Sequence, residues 1–242
     1  MTEHKTKDVE EKPGELMFSS VYTQQRAERY FNKHQENLSR RLSDWREKQI
    51  ARKVLEMAGN PRSVLDLPCG AGRFWPILAE APERKLLAAD YSENMLHTAR
   101  KFQPAELVER FHIFQTSAFD IQLEDQAVEH IFCMRLMHHI GKAADRMRIL
   151  QEFHRVSSDS VSLSLWVDGN YKGWRRRRLE AQRASGKKEF KRRFQDRFVQ
   201  SPAVLEKEFD EAGFHILGKV DFLPAYSHWR TYVLRRKDRS AA

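Results

Sequence analysis

The chain has 242 residues and a formal net charge of +9, from 43 Lys and Arg against 34 Asp and Glu. Its 40% hydrophobic content and 15 phenylalanines suffice for a sizeable core, which argues against a disordered chain. Cys69 and Cys133 are too few for a disulfide framework and lack metal-ligand spacing. The sequence contains no apolar run of about 18 residues and no signal-peptide core. We therefore expect a cytoplasmic protein with reduced thiols, no metal site and no transmembrane segment.

Apolar periodicity divides the chain into a tail, a helical region and an α/β region. Residues 1–18 are polar and predicted to be disordered, whereas 19–60 carries apolar residues at mainly helical intervals. In 61–242, short apolar runs first alternate with helix-like segments, which predicts βαβ units and a parallel sheet covered by helices on both faces. The predicted strands are Ser63–Leu67, Leu86–Ala89, Phe111–Gln115, Ile131–Met134 and Val161–Val167, and the predicted helices are Arg73–Ala81, Glu93–Lys101 and Lys142–Val156.

The C-terminal part departs from this alternation. A predicted helix, Pro202–Ala212, precedes two predicted strands, Phe214–Phe222 and about Arg230–Arg235. Because only a short loop joins these strands, we expect an antiparallel pair at the edge of the sheet.

A basic segment lies between the fifth strand and the Pro202 helix, within an insertion at 171–200. Tyr171–Arg197 holds twelve Lys or Arg and three acidic residues, so the formal net charge of this segment equals the +9 of the whole chain. Phe190, Phe194 and Phe198 are spaced i, i+4, i+8, which predicts a helix that is both packed and basic. Such a segment favours an acidic macromolecular partner, although inward-packed aromatics beneath solvated arginines would give the same pattern.

The end of the first predicted strand carries residues suited to binding a cationic ligand. Gly70 and Gly72 lie in the turn to the next helix, where glycine lets the backbone approach a ligand closely. Trp75 stands where a nicotinamide-binding loop would have a third glycine. Asp66 would repel a pyrophosphate and accept hydrogen bonds from an ammonium, while Asp90, at the tip of the second strand, can hold a ribose diol. An ammonium and a ribose together describe S-adenosylmethionine.

These residues resemble a class I S-adenosylmethionine-dependent methyltransferase of the ubiquinone and small-molecule-type superfamily, over about Ser63–Val167. The resemblance implies an α/β fold with a doubly wound, mostly parallel sheet of seven strands. In that sheet the last strand lies antiparallel beside the sixth, with an N-terminal helical lid and a basic helical insertion after strand five. It implies cofactor contacts from Asp66, Cys69, Gly70, Gly72, Asp90, Tyr91, Met95, Ser117, Ala118, Phe119 and Arg135, and from Tyr22 and Arg26 of the lid.

Two positions depart from the commonest pattern of this family. Pro68 stands where a first glycine is usual, and Ser117 replaces the acid that usually meets the adenine amino group. A hydroxyl is a weaker acceptor than a carboxylate, so the sequence predicts a modest affinity for the cofactor. Cys69 is expected to be a packed turn residue and not a nucleophile.

Candidates for the acceptor end of the site follow the fourth and fifth strands and lie in the last hairpin loop. A general base is expected among His138, Tyr226 and His228, although the His138-His139 pair would equally serve packing and loop shape. Substrate contacts are expected from Trp166, Asp168, Arg175, Arg176, Arg177 and Arg178.

The predicted function is methylation of an acidic macromolecule by a monomeric enzyme, and a protein is favoured over RNA. A protein lysine, for example on a translation factor such as elongation factor Tu, is the predicted acceptor. The sequence leaves three alternatives open: an RNA ring nitrogen or ribose, a lipid-linked sugar or quinone reached by peripheral membrane contact, and a non-catalytic S-adenosylmethionine-binding module. Cys133-Met134-Arg135-Leu136 lacks the Asn/Asp-Pro-Pro-aromatic sequence that grips a planar base amine.

Overall fold

The structure, a computed structural model, describes residues 38–185 and 197–237. The predicted tail 1–18 and the cofactor candidates Tyr22 and Arg26 lie outside these ranges, as do Phe190 and Phe194. The helices are α1 Leu38–Met57, α2 Trp75–Leu78, α3 Glu93–Phe102, α4 Ala105–Glu109, α5 Ala143–Val156, α6 Tyr171–Ala184 and α7 Pro202–Glu211. The strands are β1 Ser63–Asp66, β2 Lys85–Asp90, β3 Phe111–Gln115, β4 Val128–Cys133, β5 Ser157–Val167, β6 Val199–Gln200, β7 Phe214–Asp221 and β8 Trp229–Arg236.

The strands form a mostly parallel sheet in the order β3-β2-β1-β4-β5-β8-β7. Strand β8 is antiparallel to both of its neighbours, which confirms the predicted α/β fold with an antiparallel last strand. Strands β7 and β8 form the predicted antiparallel pair at the edge of the sheet, with β7 outermost and β8 between β7 and β5. The long pairing of β8 with β5 satisfies the backbone groups of both strands.

Strand β6 is an addition that the sequence did not predict. It pairs in parallel with Trp166 and Val167, beyond Leu163, where the pairing of β4 with β5 ends. The end of β5 would otherwise present unpaired backbone groups on that side. Phe198, predicted to be helical, instead lies in extended chain just before β6, and its N–H donates to the carbonyl of His138 at 2.8 Å.

Two apolar layers cover the faces of the sheet. One layer contains Phe153 of α5 and Phe209 of α7, and the other contains Val54 of α1 and Trp75 of α2. Only the C-terminal half of α1 packs into its layer, whereas Trp45 near its middle is 59% exposed. Helices on both faces give the doubly wound arrangement that the sequence predicted.

Helix α2 is shorter than the predicted Arg73–Ala81. Residues 70–74 form successive turns instead of the first turn of a helix, and Pro76 at the start of α2 lacks a backbone N–H. Among the helices of the described ranges, none is long and apolar enough to cross a membrane. No group of three potential metal ligands occurs within 38–185 and 197–237.

Candidate active site

Two backbone amides of the turn after β1 donate hydrogen bonds to residues at the tip of β2. The N–H of Cys69 donates to the carbonyl of Ala89 at 2.8 Å, and the N–H of Gly70 donates to Asp90 Oδ2 at 2.9 Å. The carboxyl ends of neighbouring parallel strands therefore meet around this turn, which is where ligands of such sheets bind. The peptide bond between Leu67 and Pro68 is cis.

The two glycines of this turn have different surroundings. Both have positive φ, +56° at Gly70 and +73° at Gly72, which favours glycine. A Cβ on Gly72 would lie 2.7 Å from the Trp75 ring, so this glycine permits the packing of an indole that itself stacks on Phe111 at 4.5 Å. A Cβ on Gly70 would meet nothing within 4 Å. Gly70 therefore borders open space, where a ligand can approach the backbone.

Asp66 is a buried carboxylate that has no hydrogen-bond partner among the described residues. It ends β1, is 1% exposed, and neither of its oxygens accepts a hydrogen bond from the described residues. Burial raises the pKa of Asp66 well above its usual value, and the charge of Asp90 adds to the rise. The Trp75 indole N–H opposes this rise but lies outside hydrogen-bond geometry. Because burying an unpaired carboxylate is costly, this site fits a ligand that brings an ammonium.

Asp90 presents both of its oxygens to backbone amides. Oδ2 accepts from Gly70 and Oδ1 accepts from Ser92, each at 2.9 Å. Burial raises the pKa of Asp90 to about 6, and these amides together with that of Tyr91 limit the rise. Each carboxylate oxygen has a second lone pair, so Asp90 can still accept from two ribose hydroxyls. The carbonyl of Tyr91 accepts from Gln115 Nε2 at 2.8 Å, which fixes the residue after Asp90.

The residues predicted to surround the adenine lie on α3 and after β3. Met95 is 4% exposed and belongs to neither apolar layer of the core. Ala118 and Phe119 are buried in one of those layers, with the Arg148 guanidinium 5.2 Å from the centre of the Phe119 ring. The hydroxyl of Ser117 accepts from the N–H of Phe119 at 3.1 Å, so part of its capacity is used within its own turn.

Cys69 is a packed residue of the glycine turn. It is 5% exposed, and its Sγ contacts the carbonyl oxygen of Gly70 at 3.6 Å. Burial raises the pKa of the Cys69 thiol well above its usual value, and Asp90 and Asp66 add to the rise. A neutral buried thiol is a poor nucleophile.

Helix α1 is held against the glycine turn by a group of ion pairs. Arg73, directly after Gly72, donates to Asp44 at 2.8 Å and to Glu47 at 2.6 Å, and its side chain is 10% exposed. Glu47 also lies 3.8 Å from the Arg135 guanidinium. The described part of the predicted lid is therefore tied both to the turn after β1 and to the loop after β4.

Arg135 begins the acceptor side of the site with a strained backbone. Its φ is +67°, which a non-glycine residue rarely adopts, and its N–H donates to Ser164 Oγ at 2.8 Å. Its guanidinium lies 5.3 Å from the centre of the Trp229 ring. A narrow, largely apolar pocket between α1 and the sheet is lined by both residues and by Phe74.

Four aromatic side chains form a cluster beside Arg135, which we call the aromatic cluster: His138, Trp166, His228 and Trp229. Ring centres are 5.1 Å apart between His138 and Trp166, 4.0 Å between Trp166 and His228, and 4.7 Å between His138 and Trp229. Three of the predicted acceptor-side residues are therefore brought together. Burial is the largest cause that lowers the pKa of His138 well below its usual value.

Three cations near the aromatic cluster contribute to a lowered pKa of His228. Burial first, and then the charges of Lys172, Arg176 and Arg197, lower the pKa of His228 to about 4. Both Arg176 and Arg197 lie over Trp166, each with its guanidinium 5.7 Å from the ring centre. The imidazole of His228 is therefore neutral at pH 7.

The other predicted acceptor residues are Tyr226, Asp168 and the consecutive arginines of α6. Tyr226 stacks on Tyr171 with ring centres 5.6 Å apart, and not on the cluster. Asp168 forms an ion pair with Arg177. The four consecutive arginines therefore have different surroundings. Arg176 faces the aromatic cluster, whereas Arg177 is paired with Asp168. The other two, Arg175 and Arg178, are exposed.

Comparison with known proteins agrees with this geometry. Residues 64–159 match a family described as a methyltransferase domain. This range contains Asp66, both glycines and Asp90. The candidate cofactor site therefore lies in a part of the chain that is similar to a methyltransferase domain.

The similar proteins are named for different acceptors. The chain is 28% identical over 120 residues to a demethylmenaquinone methyltransferase of Geobacillus stearothermophilus, an alignment that covers 49% of each protein. The chain thus spans about half the length of the curated relatives it matches. The magnesium protoporphyrin IX methyltransferase of Synechocystis PCC 6803, solved with bound SAH, superposes with a TM-score of 0.62 at 15% identity, covering 83% of this chain and 88% of that one. A SAM-dependent methyltransferase from Aquifex aeolicus gives a TM-score of 0.52 at 17% identity, covering 72% and 82%. At these identities the solved structures show the shared fold alone.

Several residues of the candidate site were not predicted from the sequence. Trp229 completes the aromatic cluster, and Asp44 and Glu47 join α1 to the glycine turn through Arg73. The three-residue spacing of Asp44 and Glu47 places both carboxylates on one helix face, which was the available signal. Nothing local indicated that this face meets Arg73.

Proposed function

We propose that the protein transfers the methyl group of S-adenosylmethionine to a lysine amine on an acidic macromolecule. The observation that carries the cofactor assignment is the unpaired, buried carboxylate of Asp66. An ammonium bound there would remove a cost that the folded chain otherwise bears. The cytoplasmic location and the monomeric state predicted from the sequence belong to the same proposal.

Different residues would bind the ammonium, the ribose and the adenine of the cofactor. Asp66 would accept from the ammonium, Asp90 from the ribose hydroxyls, and Met95 would pack against the adenine, while Gly70 leaves room beside the backbone. When bound, the cofactor supplies an electrophilic methyl on a sulfonium. Transfer is an in-line displacement, so the protein mainly aligns donor and acceptor, at about 3 Å.

The acceptor amine would enter near the loop after β4. A lysine arrives as an ammonium, which has no free electron pair, so it must release a proton to solvent before the amine can attack the methyl group and displace S-adenosylhomocysteine. The guanidiniums of Arg135, Arg176 and Arg197 lie against the rings of the aromatic cluster. Nearby positive charge disfavours an ammonium and so lowers the pKa of the incoming amine. His138 and His228 are neutral at pH 7 and would accept a hydrogen bond from it.

The exposed face of α6 supports recruitment of an acidic partner. Tyr171, Trp174, Arg175 and Arg178 follow an i, i+3, i+4, i+7 spacing, and the two aromatic side chains are 49% and 55% exposed. Arg178 lies 5.5 Å from the Trp174 ring centre, so cations and aromatics share one surface. Tyr226 extends this surface through its stacking on Tyr171. We call these five residues the α6 surface.

The curated relatives favour a second candidate. Demethylmenaquinone methyltransferases are named for a quinone acceptor, and the matching half of this chain is 28% identical to one of them. On this hypothesis the aromatic and basic residues of the α6 surface would contact anionic lipid while a quinone enters the pocket beside Arg135.

Fractionation of transferred label tests the acceptor. Purified protein is incubated with labelled S-adenosylmethionine and a cell extract, which is then treated with protease, ribonuclease or organic solvent. The lysine proposal expects that protease releases the label and that acid hydrolysis yields methylated lysine. Label lost to ribonuclease or extracted into solvent would reject it in favour of RNA or a quinone. Cofactor binding without transfer to any fraction would support a non-catalytic binding module.

A pair of matched variants tests the α6 surface. Arg175→Ala with Arg178→Ala should reduce transfer to the macromolecule and leave cofactor affinity intact. Arg62→Ala with Lys85→Ala removes the same charge at the amino ends of β1 and β2 and should change neither. Equal losses from both double variants, or a parallel loss of cofactor affinity, would contradict recruitment by this surface.

A further inference from the structure

The aromatic cluster contains three buried polar atoms that lack a hydrogen-bond partner among the described residues. They are Nδ1 of His138, Nε1 of Trp166 and Nδ1 of His228. The side chains of His138 and Trp166 are both more than nine-tenths buried. An unsatisfied buried polar group costs about 1–3 kcal/mol, and native proteins seldom leave several together. A ligand bound at the aromatic cluster could supply partners that the described residues do not.

The surrounding charge indicates that such a ligand is an anion. The guanidiniums of Arg176 and Arg197 approach the Trp166 ring, and that of Arg135 approaches Trp229. The indole N–H of Trp166 can only donate. An oxyanion placed among these groups would accept from the indole and from the guanidinium forks.

We propose that the aromatic cluster binds a carboxylate of the acceptor, carried by a residue next to the amine that is methylated. This inference rests on the proposed function, because it places an acidic side chain of the partner beside its lysine. A carboxylate can accept two parallel N–H bonds from one guanidinium fork and a further bond from the indole N–H. The same carboxylate would lie close to His138 and His228.

The Trp166 indole N–H signal in the NMR spectrum of the full chain provides the test. Two peptides are titrated, one with a lysine flanked by glutamates and one with glutamines in their place; inorganic phosphate is titrated separately. The proposal expects the glutamate peptide alone to shift the Trp166 signal and to bind about tenfold more tightly than the glutamine peptide. Equal affinities, an unmoved Trp166 signal, or a shift with phosphate alone would overturn it.

Two matched tryptophan variants complete the experiment. Trp166→Phe keeps an aromatic ring in the cluster but removes the indole N–H, and it should abolish most of the preference for glutamate. Trp45→Phe makes the same change on α1, where the side chain is 59% exposed and outside both the aromatic cluster and the α6 surface, and it should preserve the preference. If both variants behave alike, the cluster is not the carboxylate site. Cofactor affinity and label transfer are measured separately, so failure here remains distinguishable from failure of the proposed methyl transfer.

Discussion

Replacing Asp66 by asparagine should weaken cofactor binding without weakening the cofactor-free fold. The carboxylate forms no hydrogen bond with the described residues, so the substitution removes no observed native contact of this kind. A hydrogen bond to a charged group contributes about 1.5–3 kcal/mol, so loss of the bond to a cofactor ammonium should reduce affinity about 10- to 100-fold. Isothermal titration calorimetry with S-adenosylhomocysteine, which retains the ammonium but cannot transfer methyl, measures this loss.

The same variant should change how stability depends on pH. Because the pKa of Asp66 is raised by burial and by the charge of Asp90, the native state holds this proton more tightly than the unfolded chain does. Its contribution is fully present below the unfolded pKa of about 3.8 and is lost as pH rises through the native pKa. Asp66→Asn should therefore gain stability relative to wild type as pH rises from 4 to 8.

Urea unfolding of both cofactor-free proteins at several pH values gives this difference directly. Asp90, whose pKa is raised to about 6, titrates in both proteins and largely cancels in the comparison. An Asp66→Asn protein that binds S-adenosylhomocysteine as tightly as wild type would refute the assignment of the ammonium site. A variant that is less stable than wild type at pH 8 would show that the Asp66 carboxylate has a partner inside the folded chain.

Two further predictions concern stability and are checked by urea unfolding. Gly72→Ala should destabilise the protein by about 1–3 kcal/mol, since its Cβ would lie 2.7 Å from the Trp75 ring at a positive φ; an unchanged unfolding midpoint would contradict this packing. Arg146→Ala should cost about 3–5 kcal/mol because it leaves the carboxylate of Glu208 buried and unpaired, whereas Arg52→Ala breaks an exposed pair and should cost under about 1 kcal/mol. Similar losses from the two arginine variants would show that burial does not set their difference.

Local patterns in the sequence predicted every described strand except β6, most helices, and the positions of Asp66 and Asp90 at the ends of strands. Phe111–Gln115 was predicted at its observed bounds, and the helix that begins near Lys142 was predicted to within one residue. Asp66 and Asp90 could be placed because each ends an apolar run, and strand ends of a parallel sheet meet at one edge. Apolar runs and glycine turns depend on neighbouring residues, so a single sequence records them.

Only the tertiary structure decided which side chains meet at the acceptor side of the site. Trp166 and Trp229 are paired directly across β5 and β8, and this register brings His228 to Trp166 and Trp229 to His138. No periodicity within either strand specifies which residue of the other it will face, because register is set by long-range pairing and by the packing of both faces. Phe198 illustrates the same limit. Its spacing predicted a helix, but the backbone at the end of β5 pairs with the strand that directly follows Phe198, so this residue is extended.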